Sequence, residues 1–243
     1  MKQPKSLSLQ SGRVALAALV LAAVPAQATV TLLNDFTATT AEVNDGNELA
    51  YQANVSSSDL LNGKIPVTTG WNITNGASPN EMTDGSHGQS FAAAGNQVDG
   101  GWTTSGATAT YTLGGGTNGL GYDLISIQTI ASWTNVGFGN QAWTIAVRPV
   151  GGSFTDLAAI NYQPLGGAAG GSTMVSLSNL SVTGVDAIRF TANTVNGGAN
   201  AGAFVTREID VSGSSTVPEP GSVLLGACGA ALLVLRRRPA TAG

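Results

Sequence analysis

Phe204-Val205-Thr206-Arg207-Glu208-Ile209-Asp210-Val211 sets Val205, Ile209 and Val211 on one side of an extended chain and Thr206, Glu208 and Asp210 on the other. A period of two is the signature of a β-strand with one buried face. On this reading Arg207 shares the apolar side, where burial would require a partner such as an aspartate. The alternation recurs upstream. Residues 107–113 put Ala107, Ala109, Tyr111 and Leu113 opposite Thr108, Thr110 and Thr112. Residues 124–133 group Ile125, Ile127, Ala131 and Trp133, residues 142–150 group Trp143, Ile145 and Val147, and residues 186–192 group Ile188 and Phe190. Shorter candidates lie at 29–36, 157–162 and 173–177.

Glycine clusters separate these runs, at Gly114-Gly115-Gly116, Gly151-Gly152, Gly166-Gly167, Gly170-Gly171 and Gly197-Gly198. Glycine reaches positive φ without a steric penalty, so the clusters read as turns. No helical period of comparable length occurs between residues 29 and 216. About eight short strands with turn punctuation predict an all-β fold, an antiparallel β-sandwich or jelly roll, as one domain over 29–211. Residues 49–100 are less regular and rich in Asn, Ser and Gly; they read as long loops with one or two strands, the part expected to carry a site. Residues 212–216 read as a Ser-rich linker.

Both ends carry targeting signals. Lys2, Lys5 and Arg13 precede an uncharged run, 14–24, which ends at Pro25-Ala26-Gln27-Ala28. Small residues at Ala26 and Ala28 mark the cleavage site of an export signal peptide, 1–28. At the other end Val217-Pro218-Glu219-Pro220 is followed by an uncharged apolar run, about 221–235, and then by Arg236, Arg237 and Arg238. The run is a transmembrane helix of roughly 22 Å, with the arginines expected at the cytoplasmic face.

The layout of residues 217–238 resembles the PEP-CTERM sorting signal of exopolysaccharide-producing Gram-negative bacteria. The resemblance implies an exosortase-type membrane protease acting near Pro-Glu-Pro. It implies inner-membrane anchoring before processing, then the cell surface or extracellular matrix. Such tails are joined to unrelated domains, so the resemblance addresses location and leaves activity open.

Between the signals lie four basic residues, Lys64, Arg148, Arg189 and Arg207, against thirteen acidic ones, a formal charge of −9. A surface this acidic argues against nucleic acid or anionic lipid as partner. The single cysteine, Cys228, lies in the tail, so the exported domain holds no disulfide and no thiolate metal site.

The order of features in the core is similar to the galactose-binding-like jelly roll of discoidin-type and carbohydrate-binding modules. The features are Met82-Thr83-Asp84-Gly85, Trp102, the strand at 107–113, Tyr122-Asp123-Leu124-Ile125 and the closing Arg207-Glu208-Ile209-Asp210-Val211. In that superfamily an early Asp-Gly loop and a glutamate on the last strand often meet around a structural calcium ion. The resemblance nominates Asp84 and Glu208, with backbone carbonyls beside Asp84 completing an oxygen shell. The alternative is a plain turn at Asp84-Gly85 and a solvated Glu208. Trp71, His87 and Trp102 in the irregular segment are candidates for glycan contact, by stacking on a sugar ring and reading hydroxyls. For each of the three taken alone a structural role is the stronger alternative, Trp102 being more often a core plug near the sandwich end, the role expected of Trp133 and Trp143.

No nucleophile elbow, zinc-protease motif or phosphate-binding glycine loop occurs with its proper flanks. A triad would have to use His87, the only histidine. The expected function is a non-catalytic carbohydrate-binding or structural module associated with exopolysaccharide or another glycan. The alternative is a secreted polysaccharide-active hydrolase working through paired carboxylates.

Overall fold

The computed structural model of the 243-residue chain describes residues 28–35, 54–72, 79–86, 101–133, 137–166, 170–196 and 202–218. The expected signal peptide except Ala28, His87, and the tail from Glu219 onward, including Pro220, helix 221–235 and Arg236 to Arg238, lie outside these residues.

Among the described residues nine strands form, every pair antiparallel: β1 (Thr29–Asp35), β2 (Val67–Asn72), β3 (Gly101–Thr112), β4 (Tyr122–Trp133), β5 (Gln141–Pro149), β6 (Thr155–Tyr162), β7 (Gly171–Ser178), β8 (Val182–Ala192) and β9 (Phe204–Ser215). Each run with a period of two in the sequence is a strand, and β2 comes from the irregular segment. The same segment contributes a 3-10 turn, Pro79–Thr83.

Hydrogen bonding runs β1-β7-β4-β9-β3-β8-β5-β6, with β2 on the free side of β3. The sheet folds over on itself. β1, β7, β4 and β9 make one wall, and β2, β3, β8, β5 and β6 the other. The walls join where Gly101, Trp102 and Thr103 pair with β9, and again where Tyr122 and Leu124 meet Val185 and Val182. Ile127, Val175, Leu177, Ile209 and Val211 from the first wall pack with Tyr111, Trp143, Ile145, Ile188 and Phe190 from the second in one core. Trp143 is its centre, stacked on Trp71 at 5.9 Å and edge-on to Phe204 at 4.7 Å and Phe190 at 5.9 Å. Trp133 instead plugs a smaller cluster with Phe138, Ala203 and Val205.

A side-chain bolt crosses the core. Gln141 of β5 is fully buried; its amide donates to the Thr173 hydroxyl at 3.0 Å and to the Thr129 carbonyl at 3.3 Å, and its oxygen accepts from Trp143 Nε1 at 3.0 Å. Every partner is a polar group that burial would otherwise leave without water, so the set specifies one registry of the two walls.

Three expectations need correction. β9 pairs Ile130 with Glu208 but Ala131 with Thr206, which makes Arg207 the extra residue of a bulge. Parity flips there, so Phe204, not Val205, shares the main core with Ile209 and Val211, and Val205 packs with Trp133. A second bulge, between Leu124 and Ser126, turns Ile125 outward, 55% exposed, and puts Leu124 in the core. Finally, Ser212, Ser214 and Ser215 pair with β4 and belong to β9, where a linker was expected.

The walls stay apart along one side, where edge strands β1 and β6 face each other. Val30, Leu32, Leu157, Ile160, Leu177 and Leu180 line an apolar cavity of about 230 Å³ there.

Candidate functional site

The first eight residues of β9 are all buried, so it brings polar side chains inside together with apolar ones. Glu208 is 0% exposed and Asp210 5%. They stand two apart on one side of the strand, and loop 54–65 and the turn at Pro79–Thr83 close over them.

Asp59 and Asp210 sew that loop to β9. Asp59 Oδ1 accepts from Leu61 N at 2.7 Å and from Val211 N at 3.1 Å. Asp210 Oδ2 accepts from Ser56 N at 3.2 Å and from Gln128 Nε2 at 3.1 Å. Leu60 N adds a bond to the Val211 carbonyl at 2.8 Å. Around 55–61 aspartate side chains receive the backbone donors of Ser56 and Leu61, which leaves this stretch irregular.

Asp84 and Glu208, named from the sequence, are brought to one place. Gly85 N donates to Glu208 Oε1 at 3.1 Å, while the exposed Asp84 caps its own turn by accepting from Ser86 N at 2.9 Å. Glu208 is therefore not a solvated strand face. Burial foremost, then the charges of Asp210, Asp84 and Asp59, push its pKa up to about 10, against the bond from Gly85. Burial and Asp59 raise Asp210 to about 7, and burial raises Asp59. One oxygen on each of Asp59, Glu208 and Asp210 is buried without a donor.

This is a donor set that a hard cation could complete. Among the described residues, however, no three His, Cys, Asp or Glu side chains gather as a metal cluster would. Fully buried, Glu208 cannot touch a polymeric substrate, which removes it as a hydrolytic acid or base.

Of the aromatic candidates only the Trp71 side chain lies among the described residues. Trp71 is half-buried with one ring face against Trp143, and its Nε1 is enclosed without an acceptor. Trp102 pairs through its backbone with Asn72 and Val205, one register position from Trp71; its side chain and His87 lie outside the described set. Asp59, Asp210 and Gln141 escape sequence reading, since an aspartate in a Ser-rich loop carries no sign of the strand it will meet.

No known protein family matches the sequence, and no characterised protein does. Among solved structures the chain is similar to the lectin domain of lectinolysin complexed with Lewis B antigen, at 12% identity over 65% of this chain and 97% of that one, TM-score 0.43. It is also similar to a fucose binding module of Streptococcus pneumoniae, at 14% identity over 63% and 94%, TM-score 0.41. A third is a carbohydrate-binding module from a family 31 glycoside hydrolase of Clostridium perfringens, at 15% identity over 63% and 92%, TM-score 0.43. The antiparallel sandwich assigned above rests on strand pairing and not on these likenesses.

Proposed function

We propose that the chain is an exported, non-catalytic surface module that binds carbohydrate or builds the exopolysaccharide matrix, delivered by cleavage after Ala28 and by exosortase-type processing at the tail. The observation that carries the delivery half is the exit of the chain. β9 ends at Ser215, and Val217 (66% exposed) and Pro218 follow at once on the surface. A protease in the membrane plane needs its motif outside the folded body, and the exposure of Val217 and Pro218 beyond β9 supports that reading. The binding half is supported by an acidic, disulfide-free sandwich whose buried carboxylates serve structure.

Calcium belongs to the proposal as a structural ion held by Asp84 and Glu208 with carbonyls beside Asp84. Its contribution would be to neutralise the carboxylate corner and tie the Asp84-Gly85 turn to β9. The donorless carboxylate oxygens support it.

The test is to express the full chain with and without an exosortase, read the C-terminus of the exported product by mass spectrometry, and probe it on an array of neutral and acidic polysaccharides. Loss of the tail near Val217 to Pro220, with retention on a polysaccharide that weakens in Trp102→Ala, is the expected result. Co-purification with extracellular polymer without affinity for a defined glycan selects the structural role. Release of reducing sugar overturns the non-catalytic reading.

A further inference from the structure

The outer face of the second wall carries an ordered array of polar side chains. Cross-strand pairing lines up Thr69, Thr108, Thr191 and Thr144 in one row over β2, β3, β8 and β5. Their neighbours Ala109, Phe190 and Ile145 point into the core, so the threonines point away from it. Strand spacing of about 4.8 Å makes the row about 14 Å long, one hydroxyl per step. Thr69 is exposed and the other three are half-buried. Thr144 Oγ1 accepts from Asn193 at 3.1 Å. Among the described residues the hydroxyls of Thr69, Thr108 and Thr191 bond to no other side chain.

The next row runs Val67, Thr110, Arg189, Ala146 and Asp156. Arg189 lies over the Phe154 ring at 4.4 Å, with Arg148 at 5.4 Å from the same ring. Arg148 is paired with Asp186 at 2.7 Å. Arg189 has no carboxylate within ion-pairing distance among the described residues, Asp156 included, and its Nε is buried with no acceptor. Of the four basic residues between 29 and 216, Arg207 is buried and Lys64 lies on the loop beside β9, so this face holds the other two.

We propose that this face is a platform for an extended, carboxylate-bearing polysaccharide, a deepening that rests on the carbohydrate-binding reading. The chain lies across the strands, its hydroxyls meeting the threonine row at a step on the scale of one pyranose unit. A carboxylate meets the guanidinium of Arg189, which Phe154 holds in place. Charge complementarity selects the ligand. A domain of formal charge −9 disfavours a polyanion in general, and on this face Arg189, with no carboxylate at ion-pairing distance and a run of threonine hydroxyls beside it, supplies the cationic contact, although Asp156 ends the same row. Arg offers a planar fork suited to a carboxylate, and stacking on Phe154 reduces the entropy lost on binding.

The test is affinity electrophoresis of the full chain in gels containing polygalacturonate, alginate or neutral dextran. The variants are Arg189→Gln and the near-isosteric pair Thr108→Val with Thr191→Val, with unfolding midpoints measured alongside. Wild-type retardation by the polyuronates, reduced at least tenfold by Arg189→Gln and several-fold by the threonine pair with midpoints unchanged, is the expected result. Wild-type glycan binding that neither set alters overturns the platform while leaving the carbohydrate-binding reading standing. A wild type retarded by no glycan overturns both. Arg189→Lys separates charge from geometry: full retention of affinity there would overturn the forked contact.

Discussion

Gly85 and Glu208, 123 positions apart, meet through one hydrogen bond, backbone N to Oε1 at 3.1 Å, which anchors an irregular loop to the closing strand. Gly85 can make it because its φ is +81°, and a Cβ there would stand 2.8 Å from the Cα and Cβ of Ser57. Both strain and collision oppose a side chain. Gly85→Ala is therefore expected to cost about 1–3 kcal/mol in urea unfolding. A change under about 0.5 kcal/mol would mean the loop is not held there.

Stability should fall as pH rises. In the folded state Glu208 binds its proton up to about pH 10 and Asp210 up to about 7, while in the unfolded chain both release theirs near the ordinary carboxylate range. The native state thus holds more protons, and the slope of unfolding free energy against pH is negative. The stabilising effect is complete below about pH 4 and is lost through neutral pH into the alkaline range. Glu208→Gln keeps an oxygen for Gly85 N and removes the charge. Its melting temperature, measured in chelator, should vary less between pH 5 and 9 than that of the wild type; an identical slope would contradict the assignment.

If calcium occupies the Asp84–Glu208 corner, the same alkaline loss is offset by the ion. Addition of calcium at pH 8 should then raise the melting temperature by several degrees, an effect that chelator reverses and that Asp84→Asn and Glu208→Gln each abolish. Isothermal titration showing no heat and no thermal shift at millimolar calcium would remove the ion from the account.

Gln141 offers a test away from any surface. Gln141→Leu preserves approximate volume but strips Trp143 Nε1 of its acceptor and Thr173 of its donor. At about 1–3 kcal/mol for a buried polar group left unmatched, the loss should reach about 2–4 kcal/mol with the fold retained. Guanidinium unfolding followed by tryptophan fluorescence and circular dichroism reads it, Trp143 being one of the four tryptophans that report. A neutral result would show the bolt to be dispensable.

Strand identity is legible in the chain because alternation and glycine punctuation are local. Residues 107–113, 124–133, 142–150 and 186–192 each fall on a strand, and Trp143 and Trp133 are buried as their positions suggest. The sidedness of those strands is another matter. Ile125 and Val205 sit where simple alternation would not put them, because a bulge is set by the partner strand and one extra residue reverses every side chain beyond it. The serines at the end of β9 read as linker for the same reason: small polar residues look like a tether until a neighbouring strand offers its backbone.

The charge excess, the greasy ends and the all-β character are thus properties of composition and short-range pattern, which the linear chain displays in full. The meeting of Asp59, Glu208 and Asp210, the threonine row across four strands and the placing of Arg189 on Phe154 are not. Each joins residues far apart in the chain through a registry that long-range pairing sets, and no local preference carries that information.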